Sequence, residues 1–368
     1  MEKVYKIIAI NPGGTSTKIG YFENNEAKLI KNIPHSAEEL APFKEPNDQR
    51  DFRFQTVLNA LAEENISVDD CDAYVGRGGS MAACEGGTYF VNEKMLQDFH
   101  TSPIKHPANL GAQMAYELAK EYGGLAMTVS SPDTDELCDL ARFTGIKGVY
   151  RESHCHALNQ KEVAHRYAES IGKRYEDLNL VVCHVGSGSS VGAHKKGMII
   201  DTSDNMSGAG PICGTRCGDI PVRSILKLLS TNTYSLDEIK SFTDRKGGWM
   251  SLLGTAEALE IKKRISEGDE FARLVYDATI YQTAKVIGSM LAAIGDKTDA
   301  IIFTGGVAKD EYFASELEKR VGKFAPLIVI AGEFELEALA AGAFRHLTGI
   351  EPAKEYSGEH YWKGFQNT

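Results

Sequence analysis

The run Tyr5-Lys-Ile-Ile-Ala-Ile-Asn-Pro-Gly-Gly-Thr-Ser-Thr-Lys-Ile-Gly-Tyr-Phe22 decides how the rest of the chain is read. Residues Tyr5–Ile10 are a short β-rich run, Asn11–Thr17 is a turn rich in Gly, Ser and Thr, and Lys18–Phe22 resumes the apolar pattern, which predicts a β-hairpin. A second copy stands at Leu180-Val-Val-Cys-His184, with Val185-Gly-Ser-Gly-Ser-Ser190 as its turn and Val191-Gly-Ala-His194 beyond. Matching Asn11 to His184 sets Gly13 against Gly186, Ser16 against Ser189 and Thr17 against Ser190. One such hairpin at the start of each half is what a duplicated two-domain protein shows.

Outward from the hairpins, apolar spacing of helical period covers Asn109–Tyr122, Asp135–Phe143 and His156–Ile171 in the first half. In the second half it covers Val222–Leu229, Glu257–Glu267, Phe271–Ile294 and Glu333–Leu347. Buried strands are expected at Ala300–Thr304 and Leu327–Ile330. The alternation of strands and helices predicts an α/β fold with mixed sheets. The boundaries expected are a first domain at 1–175 and a second at 176–347, with a C-terminal helix at 348–368 returning to the first. Two domains imply a cleft.

The 368 residues suit two domains. A formal charge of -11 argues against a nucleic-acid binder, which needs a basic face, and means that an anionic ligand must be met by local cations. No apolar run approaches the ~18 residues that span a bilayer, so the expectation is a cytoplasmic protein without membrane contact. Seven cysteines without any Cys-x-x-Cys pair are expected as reduced, mostly buried thiols.

Chemistry concentrates in the turns. Consecutive glycines let backbone N–H groups approach phosphate oxygens, and Ser and Thr hydroxyls add donors. The candidate nucleotide-binding residues are therefore Asn11, Gly13, Gly14, Thr15, Ser16, Thr17 and Lys18, then Gly186, Ser187, Gly188 and Ser189, with Gly305 and Gly306 after the later strand. Neither turn fits the Gly-x-x-x-x-Gly-Lys-[Ser/Thr] loop. Arg77, among Gly76, Gly78 and Gly79, is placed where the backbone is slim and a guanidinium can fork onto an anion. His184 ends a buried strand facing the second turn, where an imidazole can donate to phosphoryl oxygens. The pair His154 and His156 lacks metal-site spacing and is assigned to packing or capping.

The ordered series Asn11–Lys18, Val75-Gly-Arg-Gly-Gly79, Glu85-Gly-Gly-Thr-Tyr89, His156-Ala-Leu-Asn-Gln-Lys161, His184–His194, Thr304-Gly-Gly306 and Gly332–Ala340 resembles the butyrate kinases of the acetate and butyrate kinase group. That resemblance implies a duplicated ribonuclease-H-like, actin-like fold with an interdomain active site, as in acetate and sugar kinases. It also implies a homodimer and the reaction ATP + short carboxylic acid ⇌ ADP + acyl phosphate with Mg²⁺. By resemblance, Arg77 and His106 bind the acid, Arg216 stabilises the transferring phosphoryl group, and Asn11 and Glu335 arrange the metal, with Glu333 and Glu337 as alternatives to Glu335. The group's Val-Asp-Pro element reads Val129-Ser-Ser-Pro-Asp133 here, so Asp133 is the candidate substitute for the missing catalytic acid. Butyrate is the first expectation; acetate, propionate or a branched acid, or a nucleotide-binding regulator, are the alternatives.

Overall fold

The computed structural model describes residues 3–365. They form two compact units, one made of the chain through Asp135 together with Phe334–Phe365, the other of Glu136–Glu333.

In the first unit, β1 (Lys6–Pro12) and β2 (Ser16–Glu23) form the hairpin expected from the sequence, and β3 (Glu26–Pro34) extends it. On the other side of β1 lie β4 (Ala73–Gly76), then β6 (Leu125–Val129) and, at the edge, β5 (Thr88–Phe90), in the order β3-β2-β1-β4-β6-β5. β4 runs parallel to β1, and β6 parallel to β4. The second unit repeats the plan. Its hairpin is β7 (Asn179–Val185) and β8 (Ser189–Lys195), β9 (Met198–Thr202) extends it, and β10 (Ala300–Gly305) and β11 (Leu327–Ala331) add in parallel to give β11-β10-β7-β8-β9. Each unit thus has one hairpin, a third antiparallel strand on one flank and parallel strands on the other, the first unit adding β5 antiparallel to β6 at its edge. The duplication is in the topology as well as in the motif.

Registers refine the equivalence. Asn11 faces Lys18 and Pro12 faces Thr17, whereas His184 faces Ser190 and Val185 faces Ser189. The first turn is therefore one residue longer, so Thr17 corresponds to Ser189 and Lys18 to Ser190, one place from the sequence alignment.

Helices cover the sheets with apolar faces. Ile8, Ile10, Ile19, Tyr74, Val57, Leu61, Leu110 and Met114 make the first core, and Val181, Cys183, Val191, Ile280, Ile287, Phe303 and Phe313 the main second one. The helices Asn109–Tyr122, Ala157–Ser170 and Glu270–Ile294 lie within a residue of the ranges expected. Asp135–Phe143 does not become one helix; only Asp139–Arg142 is helical. Backbone and side chains before it are committed to β9, since Cys138 N–H donates to Ile200 O (2.9 Å) and Glu136 accepts from Ile199 N–H (2.7 Å).

The unit boundaries differ from those expected, because helix Ala157–Ser170 packs on β7 and β10, and helix Glu335–Leu347 on β1. The segment after Leu347 returns to the first unit without forming a helix. Lys354 bridges Thr88 and Phe90 through its backbone, and the Tyr356 hydroxyl accepts from Ala82 N–H (2.7 Å) and donates to Asp98 (2.6 Å). Residues 366–368 lie outside the described range. Among the described residues no helix is long and apolar enough to cross a membrane, and the seven cysteines are free thiols, five of them buried.

One close approach fixes where Arg77 leaves the sheet. A Cβ placed on Gly76 would stand 2.0 Å from the backbone of Gly111, at the start of helix Asn109–Tyr122. Backbone cannot yield as a side-chain tip does. Gly76→Ala should lower unfolding stability by about 3 kcal/mol, the upper range for overpacking, read as a fall in the urea midpoint; an unchanged midpoint would contradict this packing.

Candidate active site

The C-terminal ends of β1 and β4 open onto a cavity of about 300 Å³ whose lining includes Asn11, Gly13, Ser16, Lys18, Arg77, His106 and Glu335. Asn11 and Lys18 share a face because they are paired across the hairpin. Arg77 follows β4, its N–H donating to Ile10 O (2.8 Å) and its carbonyl accepting from Ala112 (3.2 Å). Its Nη1 is buried and has no hydrogen-bond partner among the described residues. Buried donors are ordinarily satisfied, so an orphaned guanidinium nitrogen at a cavity marks a place for an anion.

His106 accepts from the Ala108 N–H at Nδ1 (3.1 Å), which places its proton on Nε2. Burial, then the charges of Arg77 and Arg53, hold its pKa below the ordinary value of 6.5, so the ring is a neutral N–H donor aimed from a cationic wall. Glu335 supplies the cavity's carboxylate and accepts from Asn11 Nδ2 (2.6 Å). One carboxylate and one amide oxygen fit a Mg²⁺ that keeps most of its waters. Among the described residues no cluster of three His, Cys, Asp or Glu could hold a metal more fully.

The hairpin turn is held from beneath. Thr17, expected to face a nucleotide, is buried, its hydroxyl bonded to His35 Nε2 (2.8 Å) and to Arg53 (3.0 Å). Gly14 and Thr15 are exposed. Asp133 accepts from Met81 N–H (3.1 Å) and its own N–H donates to Ser131 Oγ (3.2 Å), so its carboxylate fastens the loop after Arg77; Pro132, not Asp133, lines the cavity. Ser130, one of the two serines standing where the resemblance expects an acid, holds φ +36°, uncommon for a residue with a Cβ.

In the second unit His184 is buried at the end of β7 and receives Asn159 Nδ2–H at Nδ1 (2.9 Å). Its Nε2 therefore carries the proton, 3.8 Å from Glu333 Oε1. His156 stacks on it at 3.9 Å between centroids. Ser190 Oγ accepts from His156 N–H (3.1 Å) and Gln160 Nε2 (2.8 Å), so its own proton goes to His156 Nδ1 (2.7 Å). Behind them His194 joins Tyr175 (2.6 Å) and Gln160 (2.9 Å).

The turn Gly186-Ser187-Gly188 closes on a Gly186 N–H to Gly188 O bond (2.8 Å), and Ser187 is its exposed tip. The Ser189 hydroxyl is turned back to His184 O (3.2 Å). Arg216 lies against this turn, since a Cβ on Gly188 would be 3.3 Å from its Cζ, and it is held by Thr215 Oγ1 (2.6 Å) and Asn205 O (3.3 Å). Gly305, at the end of β10, bridges to Gly332 in both directions (3.1 Å each). His184, Gly186–Gly188 and Gly305 thus belong to one sheet edge, with Arg216 against its turn.

A sequence model described as the Acetokinase family matches residues 142–325. The chain is 42% identical over 354 residues to "Butyrate kinase 1" of Clostridium acetobutylicum, covering 96% of this chain and 100% of that one. "Butyrate kinase 2" of the same organism is also 42% identical, covering 96% and 99%. The chain belongs to the acetokinase family. Among solved structures, the Porphyromonas gingivalis acetate kinase superposes on this acetokinase-family chain with a TM-score of 0.79 at 18% identity, covering 94% of this chain and 100% of that one, a likeness of fold.

Residues missed in the sequence of this family member are Arg53, His35, Asn159 and Gln160, while His156, assigned to packing or capping, stands at the helix N-cap and stacks on His184. His156, Asn159 and Gln160 had a signal, standing at i, i+3 and i+4 inside a quoted motif. Arg53 had none: it occupies the core position of the Val57–Leu61 stripe and hides the helix Arg50–Glu63 from an apolar-period test.

Three histidines bear on acid stability. Burial first, aided by neighbouring cations, lowers the pKa of His35, His106 and His194 below 6.5. The unfolded chain then binds protons the folded one declines, so stability is full above pH ~6.5 and falls as pH drops below it. The urea midpoint should decline between pH 7 and 5, less steeply in a His35→Gln, His106→Gln double variant; a flat wild-type profile would refute it.

Proposed function

We propose that this acetokinase-family enzyme transfers the ATP γ-phosphoryl group to a short-chain carboxylate, butanoate first, giving ADP and butanoyl phosphate reversibly, in the cytoplasm. The observation that carries this reading is the unpartnered Arg77 Nη1 in the first-unit cavity beside Lys18. About 300 Å³ is the low end of ligand pockets, enough for a small acid and a phosphoryl group and too little for a whole nucleotide.

Arg77 forks onto the carboxylate, with His106 Nε2–H as a second donor. The carboxylate oxygen attacks phosphorus in line, the bond to the β–γ bridging oxygen breaks, and that electron pair leaves on ADP. The acid arrives ionised, so no general base is required. Lys18 and the Gly13–Ser16 turn meet the phosphoryl oxygens. The second unit holds the nucleotide on Gly186–Gly188 and Gly305–Gly306, and His184 and Arg216 serve the charge that develops on the moving group. Mg²⁺, when bound, neutralises phosphate charge; Glu335 and Asn11 are the residues to hold it. Asp133 has a loop-holding role. A homodimer is the assembly proposed, two-fold pairs being the commonest form of soluble oligomer.

ADP release over acids of two to five carbons, with hydroxylamine trapping, should be fastest for butanoate; absence of acyl hydroxamate with every acid would overturn the function. MgATP should raise Tm. Arg77→Ala should raise KM for the acid most, and Arg216→Ala should lower kcat by ~10²-fold. Wild-type kinetics in both variants would remove these roles.

A further inference from the structure

Arg53 is fully buried on helix Arg50–Glu63. It donates to Gln49 Oε1 (2.9 Å), Ser16 O (2.9 Å), Thr17 Oγ1 (3.0 Å) and Gly14 O (3.2 Å). All four acceptors are neutral, and among the described residues no carboxylate is paired with it. Buried charges are ordinarily paired, because leaving water unpaired is costly. Burial draws its pKa down only to about 10, so it remains a cation at neutral pH.

Two physical consequences follow for the neighbouring turn. The C=O and N–H of a trans peptide point opposite ways. With the Gly14 carbonyl drawn to Arg53, the N–H of Thr15 in the same peptide is turned away, toward the exposed side of the turn. The Thr15 carbonyl is taken separately by His35 N–H (2.8 Å). The Gly14, Thr15 and Ser16 carbonyls are thereby all engaged within the fold, beside the cavity that Gly13 and Ser16 line. The second consequence is the field. Arg53 contributes, with Arg77, to lowering the His106 pKa, so its charge reaches the cavity wall.

We propose that Arg53 is a positioning residue for the phosphoryl group, holding the Gly14 and Ser16 carbonyls of the hairpin turn so that the Thr15 N–H is presented outward, with its own charge neutralised only when an anion is bound there. This rests on the reading of the cavity as the reaction site. A residue that merely ties the helix to the hairpin would lower stability without changing the affinity of the folded protein for an anion.

The test uses the full chain, inorganic phosphate as probe, and calorimetric titration without nucleotide. Arg53→Gln should weaken phosphate by about tenfold or more, the size of one charge-assisted interaction, and Arg53→Lys should recover part of the loss. The affinity of both for ADP without Mg²⁺ should stay within about twofold, since the residues proposed to hold the nucleotide, Gly186–Gly188 and Gly305–Gly306, share no partner with Arg53. A folded Arg53→Gln chain that binds phosphate like wild type overturns the role of Arg53 alone. Should both variants fail to fold, arginine side-chain NMR of the wild type decides: phosphate should shift the Arg53 Nε–H signal together with the Gly13–Thr17 amides, and an unmoved Arg53 signal overturns the proposal. Wild type that takes up no phosphate overturns the cavity assignment, and this inference with it.

Discussion

Parallel pairing is the constraint on which both units depend. β4 lies parallel to β1 and β10 parallel to β7, so each pair ends on the same edge of its sheet. The hairpin turn leaves β1 or β7 at that edge too. Backbone N–H groups of a glycine turn and side chains that follow the parallel neighbour are therefore delivered together, Asn11 with Arg77 in one unit and His184 with Gly305 in the other. Ligands of open α/β sheets bind outside the carboxyl ends of strands for this reason, and duplication yields two such edges from one plan.

Charge explains how an acidic chain handles anions. A net charge of -11 would repel ATP and a carboxylate alike, and screening removes most of that repulsion beyond ~10 Å. What remains decisive is local. Among the described residues Arg77 keeps a buried nitrogen unbonded and Arg53 has no carboxylate partner, so neither charge is neutralised by a carboxylate there. Glu335 is tied to Asn11, which directs its charge to one end of the cavity. The arrangement stores positive field where the chemistry accumulates negative charge.

Much of this was legible in the sequence because it is local. The hairpins, the long helices and the strands Ala300–Gly305 and Leu327–Ala331 announce themselves by period and by glycine turns, and Arg77 by its glycine neighbours. Most of what was not legible depends on contacts distant in sequence. Strand β5 is only three residues long, whereas β3 and β9 follow the two-residue turns Asn24-Asn25 and Lys196-Gly197, a local hairpin signal that a reading centred on the glycine-rich turns passed over. Asp135–Phe143 has helical spacing, yet β9 claims its backbone. Thr17 reads as a phosphate donor until Arg53, 36 residues away, takes its hydroxyl. Chain return through helix Glu335–Leu347 assigns that helix to the first unit, which no boundary placed by composition could show.

The histidines complete the argument about mechanism. In His106, His156 and His184 alike, Nδ1 faces a donor, namely the Ala108 N–H, the Ser190 hydroxyl and the Asn159 amide. Each ring is thereby set as an Nε2–H donor. A site built to remove a proton would instead leave a ring nitrogen as an acceptor toward its substrate. A carboxylate nucleophile has no proton to lose, so donors are what the reaction can use. Ser130 and Ser131 are buried outside the cavity's lining, where the Ser130 hydroxyl accepts from Gly87 N–H (3.1 Å), and the Asp133 carboxylate holds the loop that follows Arg77.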